Sequence, residues 1–198
     1  MQCDAADEDP SQATDAGRFG GHLVLDFLNT VARTESGPVD QLGDAGAVRR
    51  WLAEGGLPHQ ADLDGPHLVE AATDLREVVR DLVQCRLSRT LAEPARLNRY
   101  LAAAEGHWKL AWRGADKPAR TLVRKGDATS QTLAPLAEAA AELLASEDFG
   151  RVKRCGNPGC TMLFFDPSAT SRRRWCDMAT CGNRMKVAAH RQRRRGGP

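Results

Sequence analysis

The sequence contains no apolar run approaching the roughly 20 residues of a membrane-spanning helix, so no such span is expected. Its first residues, MQCDAADEDP, are acidic and lack the basic-then-apolar order of a secretory signal; a cytoplasmic location follows as the expectation. No internal repeat is present. No nucleophile–base pairing or catalytic motif accompanies His22, Asp26 or His107, so an enzyme is not expected. The six cysteines would suggest disulfides in a small exported protein, but nothing here points to an oxidising compartment, and metal ligation is favoured.

What is present is divided unequally. The net charge of +2 conceals a balance of +10 over residues 151–198 and −8 over the residues before them. Such asymmetry between parts of a chain points to an interaction surface at the basic end. We read residues 1–17, polar and without periodicity, as a disordered leader. Residues 18–149 then form an acidic domain and 150–198 a basic one.

The N-terminal domain reads as mainly helical. In HLVLDFLNTVA (22–32) the apolar residues Leu23, Val24, Phe27, Leu28 and Val31 fall at helical spacing, and a polar turn follows. Asp44 is placed to cap a helix ending at Glu54, with Gly55-Gly56 as its stop. The stripe Leu68, Ala72, Leu75, Val79, Val83 predicts a helix over 67–90, and a shorter one spans about 94–104. HWKLAWRG (107–114) and ARTLVRKG (119–126) alternate as the strands of a hairpin, and 131–145 returns to a helix.

The chemistry lies in Cys155-Gly-Asn-Pro-Gly-Cys160 and Cys176-Asp-Met-Ala-Thr-Cys181, two pairs of equal spacing. Zinc takes four soft ligands in a tetrahedron, most easily supplied by two tight turns carrying two thiolates each. Gly156, Pro158 and Gly159 suit a sharp knuckle. Few large apolar residues lie between the pairs, so burial alone cannot fold this segment, whereas a structural zinc contributes on the order of 10 kcal/mol. With sulfur in all four positions the ion is structural. Cys3 and Cys85 stand alone and read as a free thiol and a core thiol.

Met162–Phe165 and Arg172–Cys176 read as two strands, with a helix starting near Gly182. Extended backbone would turn Arg172 and Arg174 one way and Arg173 and Trp175 the other. On the helix Lys186, His190, Arg193 and Arg194 share a stripe flanked by Arg184 and Arg191, while Met185, Ala188 and Ala189 are left to pack on the hairpin. Clustered arginine and lysine suit a phosphate backbone, through counterion release and bidentate geometry. The competing reading is a basic tail that docks on the acidic domain.

At Cys181-Gly182-Asn183-Arg184 the sequence carries a recognisable signature. The stretch Cys155 to Arg195 resembles the CGNR zinc finger, and HLVLDFLNTVA with WLAEGGLP resembles the ABATE domain of bacterial stress-induced transcription regulators. The resemblance implies one zinc ion on Cys155, Cys160, Cys176 and Cys181, and a role in DNA binding. It also implies that Asp26, Asn29 and Thr30 matter, either as a polar notch that takes a ligand or as braces of the fold. Asn183 and Arg184 either brace the knuckle or touch DNA. The expected architecture is α+β: a mainly helical domain with a small hairpin, then a treble-clef-like finger. The expected function is a regulator whose first domain senses a small molecule or dimerises and whose finger binds DNA. An adaptor that binds RNA or an acidic protein is the alternative.

Overall fold

The computed structural model describes residues 20–34, 37–57, 65–112, 114 and 116–195. The leader and Cys3 lie outside the described residues. Helix α1 (Leu23–Leu28) is short and almost wholly buried, capped by His22, whose Nδ1 accepts from the Val24 N–H at 3.2 Å. Burial lowers the imidazole's pKa, which keeps that nitrogen free to accept. The helix is shorter than the periodicity of 22–32 implies, and Val31 opens strand β1 (Val31–Thr34) instead. Polar side chains cut it short: Thr30 Oγ1 donates back to the Phe27 carbonyl at 2.7 Å, and Arg80 takes the Leu28 carbonyl that a further turn would use. The polar turn expected next holds β2 (Gly37–Asp40), paired antiparallel with β1.

Helix α2 (Ala45–Glu54) starts at Asp44, whose Oδ1 accepts from the Ala47 N–H at 2.8 Å, and ends at Gly55. Helix α3 (Gly65–Leu87) lays Leu68, Ala72, Leu75, Val79 and Val83 into the core, the stripe read from the sequence. After α4 (Ala95–Ala103), β3 (Gly106–Trp112) and β4 (Pro118–Arg124) form the expected hairpin. Helix α5 (Ala128–Ala145) is capped by Asp127 and packs on α1, α3 and α4. Its fully buried Ala137 and Ala140 have side chains small enough for close packing.

A 3-10 turn (Glu147–Arg151) leads directly into β5 (Val152–Arg154), which pairs with β6 (Leu163–Phe165). The expected strand at 172–176 does not form. One edge of β6 is taken by β5, and the other is met by Gly20, whose carbonyl accepts from the Phe165 N–H at 2.7 Å, and by the side chain of Asn29. Residues 166–173 instead wrap around the Asp166 carboxylate. A π-turn (Met178–Gly182) then leads into α6 (Asn183–Arg195). Ala188 and Ala189 do not pack on the hairpin as expected: every residue from Lys186 to Arg194 is exposed, because α6 runs outward from the knuckle. The whole is α+β, with three two-stranded antiparallel sheets among the described residues and a mainly helical domain before a treble-clef-like finger. No described helix is long and apolar enough to cross a membrane.

Candidate metal centre and basic surface

The first knuckle, after β5, turns on Asn157, which is 5% exposed. Its Oδ1 accepts from the Gly159 N–H at 3.1 Å and its carbonyl from the Cys160 N–H at 2.9 Å, bringing Cys155 and Cys160 together. The second knuckle is capped by Asp177, whose Oδ1 accepts from Thr180 N–H and Oγ1 at 2.7 and 2.8 Å. Those two hydrogen bonds hold its carboxyl below the usual range. The knuckles are joined where the Gly156 N–H donates to the Arg174 carbonyl at 2.8 Å. Trp175 fills the space between them, and a Cβ at Gly182 would stand 3.1 Å from its indole and 2.4 Å from the Met178 sulfur. Glycine at the second position of the CGNR signature leaves room for both side chains.

The four sulfurs of Cys155, Cys160, Cys176 and Cys181 all lie within 4.8 Å of one another. Metal–sulfur bonds of ~2.3 Å in a tetrahedron require sulfur–sulfur edges of about 3.8 Å. The Cys160–Cys176 and Cys176–Cys181 separations are 3.8 and 3.7 Å. The donor set therefore fits one zinc ion, and with all four positions filled by thiolate the ion is structural. Burial pushes the Cys160 thiol up to about 11 and raises Cys176 further. At Cys181 burial also pushes upward, but the Asn157 amide, 3.4 Å from its sulfur, and the other cysteines pull the thiol below its ordinary value. Four thiols this close need a cation to ionise together.

Asp166, with no exposed side-chain surface, organises the loop between β6 and the second knuckle. Its oxygens accept from Lys153 Nζ at 2.7 Å, Ser168 N–H at 3.1 Å, Ser168 Oγ at 2.6 Å and Arg173 N–H at 2.8 Å. Lys153, first among these, holds the carboxyl far below the carboxylate range. Sequence reasoning passed over Asp166 and Asn157. The turn signals were present in Asp166-Pro-Ser and Asn157-Pro-Gly, but a turn signal does not say what the side chain will hold.

The basic residues divide in two. Arg173 is tied to the finger: its Nε donates to the Trp175 carbonyl at 3.0 Å, its Nη2 to the Cys176 carbonyl, and its guanidinium lies 4.7 Å from the Phe164 ring centroid. Arg172, Arg174, Arg184, Lys186, His190, Arg191, Arg193 and Arg194 are exposed, with Arg174 over the Trp175 ring at 5.1 Å. Asn183 donates to the Ala179 carbonyl at 3.1 Å and so braces the π-turn.

In the N-terminal domain the polar residues of LDFLNT are buried and engaged within the chain. Asp26 Oδ1 accepts from the Gly20 N–H at 2.8 Å, which holds Gly20 against β6. Asn29 binds the backbone of Leu163, and Thr30 accepts from Arg76, which also forms a bidentate pair with Asp40. Cys85 is half-buried on α3, and His107 is exposed on β3.

Residues 21–147 match the ABATE family model, described as "Putative stress-induced transcription regulator", and residues 151–194 match the CGNR zinc finger. No curated protein matches the chain. The first match covers more than half of the chain, the second contains the whole tetrathiolate site, and the protein belongs to the ABATE family of regulators with a CGNR zinc finger.

Proposed function

We propose that the protein is a DNA-binding transcription regulator in which zinc holds the finger in shape and the exposed basic side chains contact the duplex. The supporting observation is α6 itself. It runs outward with Lys186 to Arg194 all exposed, contains no acidic residue, and forms no ion pair among the described residues. A helix of 13 residues is about 20 Å long, enough to enter a major groove. A solvated helix with little apolar surface gains order from an anionic partner, and phosphates supply one along its length. Arg172 and Arg174 add two more cations beside the metal site.

The domain before the finger is the sensing or dimerising part. The protein works in the bacterial cytoplasm, in a stress response, and catalyses no reaction of its own. The same basic surface also suits an adaptor docking on RNA or an acidic protein, which the following experiment separates. Zinc-loaded protein is used to select from a pool of random duplex DNA, with Cys160→Ser as the control. An enriched motif that the variant fails to retain supports the regulator. Equal, unenriched retention by both proteins contradicts it.

A further inference from the structure

A cavity of about 720 Å³ opens between the C-terminal ends of α3 and α5, helix α4 and the 147–151 turn. That volume lies within the range of small-molecule sites. Its walls are mainly apolar, from Leu82, Leu97, Leu101, Leu144 and Phe149. Among the described residues two cations, Arg86 and Arg89, line it, and no aspartate or glutamate does.

Arg86 is the unusual wall residue. Its Nη2 donates to the Ser146 carbonyl at 2.8 Å, and its guanidinium stands 4.2 Å from the Phe149 ring centroid. Its Nη1 is buried and has no hydrogen-bond partner among the described residues. A buried guanidinium nitrogen without an acceptor is costly, more so than a neutral donor. Arg89 is held in the left-handed region at φ 56°, where it ends α3 and lines the same cavity. That conformation disfavours a side-chain-bearing residue, and glycine is the usual occupant of such a helix end.

We propose that this cavity binds a small amphipathic monoanion, a carboxylate on an apolar or aromatic body, with its head group drawn to the guanidinium of Arg86 in the wall. The apolar walls take the body, and Arg89 adds a second positive charge. A dianion such as free phosphate would leave those walls unused and suits them poorly. The site gives a specific form to the sensing role proposed for this domain, and its regulatory meaning rests on that reading. Its position fits the role: Phe149 and Gly150 line the cavity and belong to the turn that runs directly into β5. One residue on, Arg151 donates to the Ser168 carbonyl at 2.9 Å, in the loop that precedes Arg172.

The test is calorimetric titration of the full zinc-loaded chain, without DNA, using octanoate and 4-phenylbutyrate, with octan-1-ol as the uncharged control. Saturable one-to-one binding of at least one acid is expected, weakened about tenfold or more by Arg86→Met. Octanol binding should be insensitive to that substitution. Because Arg86 also holds Ser146, Ala141→Phe provides a second variant: it fills the cavity from a half-buried helix position and should abolish binding of both acids. Absence of saturable binding by either acid, or binding untouched by Ala141→Phe, overturns the proposal. Acid binding without DNA binding would fail the regulator reading alone, and DNA binding without acid binding would fail this site alone.

Discussion

Asn29 presents its side-chain amide to the backbone of Leu163 as a neighbouring strand would: Nδ2 donates to the carbonyl at 2.8 Å and Oδ1 accepts from the N–H at 2.9 Å. The two residues are 134 positions apart, one at the end of α1 and the other opening β6 of the finger. With the Gly20 carbonyl on Phe165, this pairing completes the second edge of β6 and fastens the helical domain to the finger. A Cβ on Gly20 would lie 2.8 Å from Asp26 Oδ1, so this approach also depends on glycine.

Replacing Asn29 by alanine leaves two buried backbone groups unpaired, and the expected loss of stability is about 3 kcal/mol. Asn29→Asp should fare no better, since a carboxylate cannot donate to the Leu163 carbonyl. Urea unfolding followed by far-UV circular dichroism and by zinc release checks this. In the variants zinc release should come at lower urea than loss of the helical signal.

The Arg76–Asp40 pair makes stability depend on pH. Arg76 is 3% exposed, and its hydrogen bonds hold the Asp40 carboxyl below its ordinary value against the opposing effect of burial. A depressed carboxyl contributes stability that is full above the unfolded pKa, near 4, and is lost as pH falls through the folded value. Asp40→Asn removes one partner of a largely buried arginine. Its cost at pH 7 should be about 2 kcal/mol, less than for a fully buried pair because Asp40 is partly exposed. Denaturant titrations at pH 7 and pH 3 should show the gap between parent and variant narrowing at the lower pH.

Zinc removal should act locally. One zinc per chain is expected by elemental analysis, falling below one in Cys160→Ser. After chelation the backbone amides of Asn157, Gly159 and Gly182 should lose their dispersed magnetic resonance shifts. Those of Leu75 and Ala137, in the helical core, should keep theirs. Collapse of both sets would show that the helical domain cannot stand without the metal.

Two neighbouring arginines should behave differently. Arg173→Ala removes bonds to the Trp175 and Cys176 carbonyls and the contact with Phe164, so it should lower zinc affinity and the thermal midpoint. Arg174→Ala should leave both nearly unchanged and weaken only nucleic-acid binding. Thermal melts and a competitive zinc chelator distinguish the two.

Much of this architecture is legible in the sequence. The 3.6-residue stripe on α3, the Asp44 cap and Gly55 stop of α2, the β3–β4 alternation and the cysteine pairs are all local patterns, and local patterns survive into the fold. What could not be read depends on distant partners. Helix α1 stops at Leu28 because Asn29 and Arg80 are engaged with groups far along the chain. The strand expected at 172–176 is lost to Asp166, whose neighbours come from β5 and the loop itself. Arg173 and Arg174 look alike in sequence, and only the position of the second knuckle ties Arg173 to the Trp175 and Cys176 carbonyls while both remain at the surface.

The most direct test of the proposed function is the salt dependence of duplex binding, measured by fluorescence anisotropy on zinc-loaded protein. The observed affinity should fall steeply with salt, and Arg174→Ala and Arg191→Ala should each reduce the slope by about one. Cys160→Ser should abolish the binding. Affinity independent of salt, or arginine variants that bind as the parent does, would contradict a DNA-binding finger.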